Sequence, residues 1–365
     1  MAPSAGRAAR HDEGRSVSLR AAIVGCGSAG TRRAYALRAL GIDDITVTDR
    51  HAERARNLAA AVGGATADSV AKAAEGRDAV LVCTPADSRA LFGLAAVRQG
   101  AHVFIEAPLS DRLEEIRPLL EGSTASGRVL MVGSRCRFHP GLERIRALIE
   151  ARTLGRVYAV SMWLGTALAE RAWPQDVNGG TVTESRACLL AEGVQWFDAL
   201  RWLFGKPVEV AAMCGSAYPS ATEGEGASAA LVRMDSGTVV QVCMDAFRGP
   251  EASRIDVVGT DGTLHWSADD DRIVLDRLGG RERREEHVPA RQDEVDRAEL
   301  RHFFACVLSG RTPEADGSEG RASLALTLAV RRAVRLRRAL ALGDDLGRIG
   351  RRRGVSTVLR LVHAN

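Results

Sequence analysis

The sequence predicts an α/β protein: an N-terminal doubly wound parallel sheet of the Rossmann type, then a C-terminal α+β domain with a largely antiparallel open sheet. Apolar strand-like runs alternate with helical patterns up to residue 133, as in sheets built from βαβ units. After residue 140 the chain has short strands joined by turns, which is typical of antiparallel sheets. A length of 365 residues, 45% of them hydrophobic, is sufficient for two such domains.

The first half contains the elements of one parallel sheet. Ligands of such sheets bind at the carboxyl ends of the strands, so the turns that follow the strands should meet at one crevice. Those turns contain the candidate cofactor-binding residues Thr84, Pro85, Glu106 and Ala107. Strands are predicted at residues 21–24, 45–48, 79–83, 102–106 and 129–133, and helices at 31–40, 52–62, 67–75, 88–99 and 113–126.

A glycine-rich turn after the first strand has the G-x-G-x-x-G pattern of dinucleotide-binding sites. Gly25 allows the tight turn, Gly27 lets the backbone approach a pyrophosphate, and Gly30 lets the next helix pack closely on its strand. The N-terminus of that helix, with Ser28 and Ala29, offers free N–H groups to the phosphates.

An acidic residue completes the pattern at the end of the second strand. Asp49 lies 19 residues after Gly30, and its carboxylate can accept hydrogen bonds from ribose hydroxyls while repelling a 2′-phosphate. Arg50 follows and can pair with such a phosphate or lie over the adenine. The sequence therefore predicts NAD as the cofactor without excluding NADP.

The second half predicts a different architecture. The turns Asp235–Gly237 and Thr260–Gly262 indicate hairpins. An open face on an antiparallel sheet needs a cover, which predicts a homodimer or homotetramer formed through this sheet. Strands are predicted at residues 157–163, 208–213, 227–234, 238–243, 254–258, 262–266 and 273–275, and helices at 142–150, 184–203, 297–308 and 322–342. The predicted division is a flexible leader (1–18), a dinucleotide-binding domain (19–139), a substrate and oligomerisation domain (140–342) and a C-terminal tail (343–365).

Composition argues against several classes of partner. The net charge of +4 comes from a balanced 50 basic and 46 acidic residues, and the basic cluster at 348–353 has no interleaved aromatic residues, so we expect no nucleic-acid partner. We expect a cytoplasmic protein, because the sequence has neither an apolar run long enough to span a membrane nor the apolar segment of a signal peptide. The seven cysteines show no metal-site spacing. The expected partner is a small-molecule substrate.

Several short motifs occur in an order that resembles one family of oxidoreductases. These motifs are the glycine pattern, Thr84-Pro85, Glu106-Ala-Pro108, Arg137-Phe-His-Pro140, Asp198-Ala-Leu-Arg-Trp-Leu-Phe-Gly205 and Val258-Gly-Thr-Asp-Gly-Thr-Leu264. With them, the chain is similar over residues 20–340 to the glucose–fructose oxidoreductase/inositol dehydrogenase (Gfo/Idh/MocA) family. The resemblance implies an NAD(P)-dependent oxidoreductase, most often one that acts on a sugar or cyclitol hydroxyl.

The chain departs from that family at the positions whose residues transfer the substrate proton in the family. Ala107 replaces the lysine of the family's Glu-Lys-Pro, and Arg89 stands where a histidine is usual. The family also has an acid and a histidine four residues apart on one helix face. An alignment anchored on the motif that begins at Asp198 puts Ala191 and Gln195 at those positions.

The alternative alignment, anchored on Gly179-Gly180, puts Glu184 and Cys188 at the same two positions. Glu184 therefore stays a candidate acid. The candidates for catalysis are Glu106, Glu184, Gln195 and His139.

Each catalytic candidate also has a structural interpretation. Glu106 lies at a strand end, where it more often has a structural role, and His139 is equally suited to stabilising a turn. Gln195 can hydrogen-bond a carbonyl but cannot titrate near neutrality. Cys136 is better explained as a small buried thiol, and Trp173 is explained equally well as a packed loop anchor. The candidates for substrate binding are Arg137, Cys136, Arg171, Trp173 and Arg186.

The missing lysine, acid and histidine leave three hypotheses open. Other residues carry the proton, or the substrate needs no protein acid, as with an imine, or the protein binds a dinucleotide without net redox chemistry. We favour an NAD(P)-dependent oxidoreductase with an altered site. The alternative is a dinucleotide-binding pseudo-dehydrogenase or an NAD-dependent non-redox enzyme.

Overall fold

A computed structural model describes residues 19–165, 192–215, 227–245, 252–279 and 282–343. Within these residues the first half forms a parallel six-stranded sheet of order β3-β2-β1-β4-β5-β6. Its strands are β1 (Arg20–Val24), β2 (Asp44–Thr48), β3 (Ala65–Thr66), β4 (Ala79–Val82), β5 (His102–Ile105) and β6 (Leu130–Val132). The helices between them are α1 (Ser28–Ala39), α2 (Ala52–Val62), α3 (Val70–Ala74), α4 (Ala86–Arg98) and α5 (Ile116–Ala125).

Helices cover both faces of this sheet, which explains the unbroken apolar runs of its strands. All four residues of β4 are fully buried. Along β1 the side chains alternate between two hydrophobic clusters: Ile23 packs with α1 and α2, whereas Ala22 packs with α4 and α5. This arrangement leaves the carboxyl ends of β1, β4, β5 and β6 facing one crevice.

The second half forms a mixed sheet that is mostly antiparallel. The described strands have the order β14-β13-β12-β11-β7-β10-β9-β8-β15, and only the pair β7 and β10 is parallel. Its strands are β7 (Val157–Gly165), β8 (Pro207–Gly215), β9 (Ala227–Met234), β10 (Val239–Asp245), β11 (Ala252–Gly259), β12 (Gly262–Ser267), β13 (Arg272–Arg277), β14 (Arg283–His287) and β15 (Leu340–Ala341). The remaining helices are α6 (Pro140–Glu150), α7 (Val194–Phe204), α8 (Gln292–Ser309) and α9 (Gly317–Leu336).

Helices cover one face of this sheet. Side chains of α6, α7 and α9 join its inner face in one hydrophobic cluster, including Ile145, Phe197 and Leu326. Along β9, buried and exposed residues alternate strictly, so the opposite face of this strand is open. The predicted fold class is confirmed. The hairpin turns are also confirmed, because β9–β10 and β11–β12 are antiparallel neighbours.

The C-terminal helices differ from the sequence interpretation, which assigned both to the second domain. The buried face of α8 packs against α1 and the parallel sheet, where the ring of Phe303 meets Phe104 edge-on at 5.8 Å. Helix α9 ends at Leu336 and not at residue 342, because Arg337 adopts a left-handed conformation (φ 51°) and the chain continues into β15. The short strands β3, β14 and β15 were not predicted, since two are dipeptides and the third, Arg283–His287, is almost wholly polar.

No helix among the described residues is both long enough and apolar enough to cross a lipid bilayer.

Candidate active site

The glycine turn after β1 has the geometry that its sequence predicts. Gly25 has a φ of +97°, and a Cβ there would lie 2.9 Å from the backbone carbonyl of Cys83. A Cβ on Gly30 would lie 1.9 Å from the Gly25 oxygen, so α1 packs on the turn so closely that only a glycine fits there. Gly27 is different, because a Cβ there would meet no atom within 4 Å. Its backbone therefore faces open space, as a phosphate-binding position requires.

Asp49 connects the end of β2 to this turn. Its Oδ2 accepts a hydrogen bond from the Cys26 backbone N–H at 2.7 Å, and its Oδ1 accepts one from His51 at 2.8 Å. A carboxylate oxygen has a second lone pair, so both oxygens can still accept a ribose hydroxyl. Arg50 is exposed, and its Nε lies 3.1 Å from His51 Nε2.

The start of α1 offers N–H groups to a phosphate. The helix begins at Ser28, followed by Ala29, and its first turn contains no acidic residue. Free N–H groups and the positive end of the helix dipole favour an anion there. Together with the open space at Gly27 and the carboxylate of Asp49, this end fits a dinucleotide with an unmodified ribose.

Two further turns border the crevice, and Arg89 joins them. Its Nε donates to the Thr84 carbonyl at 2.7 Å, and its Nη1 donates to the Pro108 carbonyl at 2.9 Å. Pro85 precedes the first residue of α4, and Ala107 follows Glu106 at the end of β5.

Ala107 and Gln195 line the same pocket. It is small, with a free volume of about 10 Å³, which is enough for about one water molecule. Gln195 Oε1 accepts a hydrogen bond from the Arg135 backbone N–H at 3.1 Å, while its Nε2 makes no hydrogen bond with a described residue. The pocket is lined by Ala107, Pro108, Val132, Gly133, Ser134, Val194, Gln195, Asp198, Ala315, Gly320 and Ser323.

The geometry of Glu106 does not favour a role in proton transfer. Its Oε1 accepts a hydrogen bond from Arg33 Nε at 2.6 Å, and the Arg33 side chain is completely buried. Burial alone would raise the pKa of Glu106, but the adjacent guanidinium outweighs burial and lowers the pKa to about 2. Near neutral pH this carboxylate is ionised and cannot donate a proton.

Sequence reasoning missed the partners of Glu106. The Arg33 guanidinium also contacts Glu299 Oε2 at 2.6 Å and Asp296 Oδ1 at 3.4 Å, both on α8. Burial, reinforced by the nearby Glu106, raises the pKa of Glu299 to about 7 despite the opposing effect of Arg33. The only signal in the sequence was the pair Arg32-Arg33 in the helix after the glycine turn.

Arg137 does not have the environment expected of a substrate-binding residue. Its Nε and Nη2 form a double ion pair with Asp198, both at 2.7 Å, and Nη2 also contacts Glu319 at 2.8 Å. Burial opposes ionisation of Asp198, but Arg137 and two serine hydroxyls hold its pKa below the usual range. The guanidinium therefore joins α7 to α9 and the turn after β6.

His139 and Cys136 match their structural interpretations. His139 Nδ1 accepts the Gly141 N–H at 3.1 Å, which caps α6, and its ring lies edge-on against Trp266. Burial lowers the pKa of His139. Cys136 packs against the second hydrophobic core, and burial raises the pKa of its thiol to about 12. Their assignment to catalysis or substrate binding has no support in these contacts.

Some predicted site residues lie outside the described residues, so the structure does not place them. They are Glu184, Arg171, Trp173 and Arg186, together with Ala191 and Cys188 of the two alternative alignments.

Two family descriptions match the two halves of the chain. Residues 19–134 match the oxidoreductase family with an NAD-binding Rossmann fold, and residues 142–265 match the GFO/IDH/MocA C-terminal domain. The first match ends just after β6 and the second begins within α6.

Relatives of known activity cover nearly the whole chain. Myo-inositol 2-dehydrogenase of Thermotoga maritima is 25% identical over 90% of this chain and over its own full length. 4-Carboxy-2-hydroxymuconate-6-semialdehyde dehydrogenase of a Sphingobium species is 26% identical over 81% of this chain and 92% of its own. The structure of levoglucosan dehydrogenase with NADH has the same fold, with a TM-score of 0.79 and 17% identity over 89% of this chain and 99% of its own. The chain therefore belongs to the GFO/IDH/MocA family of NAD-binding oxidoreductases.

Proposed function

We propose that the chain is an NAD-dependent dehydrogenase of a small polyhydroxylated substrate, either a sugar or a cyclitol, and that its reaction site works without a lysine at position 107. The observation that supports this most strongly is the glycine turn fixed by Asp49 at the carboxyl ends of the parallel strands, with Ala107 and Gln195 lining one small pocket beside the turns after β5 and β6. The names of the inositol and levoglucosan dehydrogenases support the substrate class.

Different residues of the crevice bind different parts of the cofactor. The N–H groups at the start of α1 bind the pyrophosphate, and Asp49 binds the adenosine ribose and fixes the glycine turn through Cys26. When bound, NAD supplies the acceptor for a hydride. Gln195 is positioned to donate from Nε2 to a substrate oxygen, while its Oε1 stays on the Arg135 N–H.

The described pocket residues do not supply a proton carrier. Glu106 is ionised and paired with Arg33, and Asp198 is held by Arg137. The Cys136 thiol is neutral near pH 7. A reaction that needs general acid–base help typically loses about 10²- to 10⁴-fold in rate without it. The candidate acid Glu184 lies outside the described residues, so oxidation of a hydroxyl would depend on it, whereas a protonated imine would accept a hydride without a protein acid.

The experiment is an assay of the purified protein with NAD against a panel of cyclitols and sugars. The reverse reaction is assayed with NADH against ketones and imines. Absorbance of the reduced nicotinamide reports hydride transfer. The proposal predicts a change with at least one member of the panel, and an Asp49→Ala variant should lower its rate at subsaturating cofactor. If NADH binds but no substrate changes the absorbance, the pseudo-dehydrogenase alternative replaces the proposal.

A further inference from the structure

Three carboxylates and one guanidinium form a buried cluster behind the crevice. Arg33, on α1, contacts Glu106 and Glu299 at 2.6 Å and Asp296 at 3.4 Å. The side chains of Arg33 and Glu299 are completely buried, and those of Asp296 and Glu106 are 4% and 8% exposed. The guanidinium therefore faces three acids away from solvent, where an unpaired charge is costly.

Glu299 is the most weakly paired carboxylate of this cluster. Glu106 accepts a hydrogen bond from Arg33 Nε, and Asp296 has a second cation in Arg32, at 3.4 Å. Among the described residues Glu299 has an ion pair with Arg33 alone, and it shares that cation with both other acids. Glu299 is therefore the acid of the cluster that takes up a proton near neutral pH, in agreement with its raised pKa of about 7.

The other groups around Glu299 do not supply a further cation at contact distance. Ser134 donates its backbone N–H to Glu299 Oε1, and burial keeps the nearby Cys136 thiol neutral near pH 7. The charged and titratable groups that surround the cluster are Arg32 and Arg33 on α1, Arg89 on α4, Glu106 after β5, Arg135 and Cys136 in the turn after β6, Asp198 on α7 and Asp296 on α8.

A glycine separates this cluster from the crevice. A Cβ on Gly133 would lie 3.2 Å from Glu106 Oε2 and 3.5 Å from Arg33 Nη2. Gly133 and the adjacent Ser134 both line the small pocket beside Ala107. The cluster therefore lies directly behind the pocket wall, where the low dielectric of the protein interior strengthens its effect on a charged ligand.

The order of the strands indicates which half of a dinucleotide approaches this wall. The strand order reverses between β1 and β4, and dinucleotides bind across such a point. In the proposed function, Asp49 after β2 binds the adenosine ribose and the start of α1 binds the pyrophosphate. The other side of the reversal, at the ends of β4 and β5, is left for the half that carries the nicotinamide.

We propose that Glu299 loses its proton to the solvent when NAD⁺ binds and keeps it when NADH binds, so that this residue sets how the preference between the two forms of the cofactor depends on pH. A positive charge near a carboxyl group favours its ionised form. The nicotinamide ring is cationic in NAD⁺ and neutral in NADH. The proposal rests on the proposed function only because it requires a nicotinamide dinucleotide in the crevice, and it requires no turnover.

The test is calorimetric titration of the purified protein with NAD⁺ and with NADH at pH 7, in PIPES and in Tris. These buffers take up a proton with different enthalpies, so the difference in heat gives the number of protons released. If NAD⁺ lowers the pKa of Glu299 by one unit, its binding should release about 0.4 proton more than the binding of NADH. The ratio of the NAD⁺ affinity to the NADH affinity should then rise about fivefold from pH 6 to pH 8.

Two variants assign the proton to Glu299. Glu299→Gln keeps an oxygen that can accept the Ser134 N–H, but it cannot ionise. It should abolish the difference in proton release and make the affinity ratio independent of pH. Glu294→Gln is the matched control, because Glu294 is an acid on the same helix whose side chain is 56% exposed. It should behave as the parent protein does.

Two outcomes would overturn the proposal. One is equal proton release by NAD⁺ and NADH in the parent protein, a result that needs no variant. The other is a Glu299→Gln variant that keeps the parent's difference. If either result comes with turnover of a substrate, the proton linkage fails while the dehydrogenase function stands. If the linkage is found but no substrate is oxidised or reduced, the function fails and the linkage stands. A protein that binds neither form of the cofactor overturns both.

Discussion

Nothing in the sequence pattern connects Glu299 with the crevice, because it lies 266 positions after Arg33, with which it pairs, and 165 positions after Ser134, whose backbone N–H it accepts. Its carboxylate accepts the Ser134 N–H and pairs with Arg33, so it joins α8 to the turn after β6 and to α1. A single-sequence pattern reports periodicity and local motifs, and it does not report contacts between such distant positions.

The raised pKa of Glu299 predicts a pH-dependent stability. The pKa of the carboxyl is near its ordinary value of 4.5 in the unfolded chain and about 7 in the folded protein, so between these values the folded state holds more protons. The free energy of unfolding should therefore fall as pH rises through this range, by roughly 3 kcal/mol from this group. Glu299→Gln should flatten the dependence, measured by urea unfolding at several pH values.

The matched control for that measurement is Glu121→Gln, at an exposed carboxylate on α5. It should keep the dependence of the parent protein. An equal slope in the parent and in Glu299→Gln would contradict the assignment of the proton to Glu299.

Asp49 is a residue whose position in the site was predictable, because its role depends on a local motif. Removal of its carboxylate deletes the acceptor for Cys26 and for the ribose. Asp49→Ala should weaken NADH binding about 10- to 100-fold. It should weaken NADPH binding less, since the repulsion of a 2′-phosphate disappears as well.

Energy transfer from tryptophan to the reduced nicotinamide measures both affinities. Asp68→Ala removes an exposed acid whose ion pair among the described residues is with Lys72 at 3.4 Å, and it should change neither affinity. An unchanged preference for NADH in Asp49→Ala would remove Asp49 from the cofactor site.

At the scale of elements, local sequence patterns predicted the bounds of helices and strands well, but they did not predict which elements pack against each other. Helix α2 and strand β9 have the predicted bounds, because each carries an unbroken periodic pattern. Helix α8 was also predicted, but its sequence does not say which domain its apolar face covers. Its side chains pack with α1, so the N-terminal domain is completed by a segment that follows the second sheet.

This packing predicts which face of α8 contributes most to the free energy of unfolding. Phe303 is fully buried against Phe104, so Phe303→Ala should cost about 3–5 kcal/mol of unfolding free energy. Leu308→Ala, at a 61% exposed position of the same helix, should cost far less. Denaturant unfolding, monitored through NADH binding, should report the loss of stability in the cofactor-binding domain. Equal effects of the two variants would mean that α8 does not dock on α1.

At the scale of the whole molecule, the open face of the second sheet predicts self-association. Leu231, Met213 and Val239 are exposed by 53%, 79% and 43% on neighbouring strands, and register places all three on the outer face. Apolar side chains grouped on one exposed face commonly mark an interface. The homodimer or homotetramer predicted from the sequence would cover them.

Leu231→Glu tests this association. A charge on the exposed face of β9 should shift the protein towards the monomer, measured by sedimentation or by light scattering during gel filtration. Leu91→Glu alters a 67% exposed leucine on α4 and should leave the assembly unchanged. A parent protein that is monomeric at every concentration would show that the sheet face is not a self-interface.

The whole account depends on a dinucleotide in the crevice built by Gly25, Gly27, Gly30 and Asp49. The most direct measurement is therefore a titration of the purified parent protein with NADH and NADPH, followed by energy transfer from tryptophan. We expect micromolar binding of NADH and weaker binding of NADPH. No binding of either cofactor, by a folded sample shown to carry no nucleotide, would contradict the assignment of the crevice and with it the proposed function.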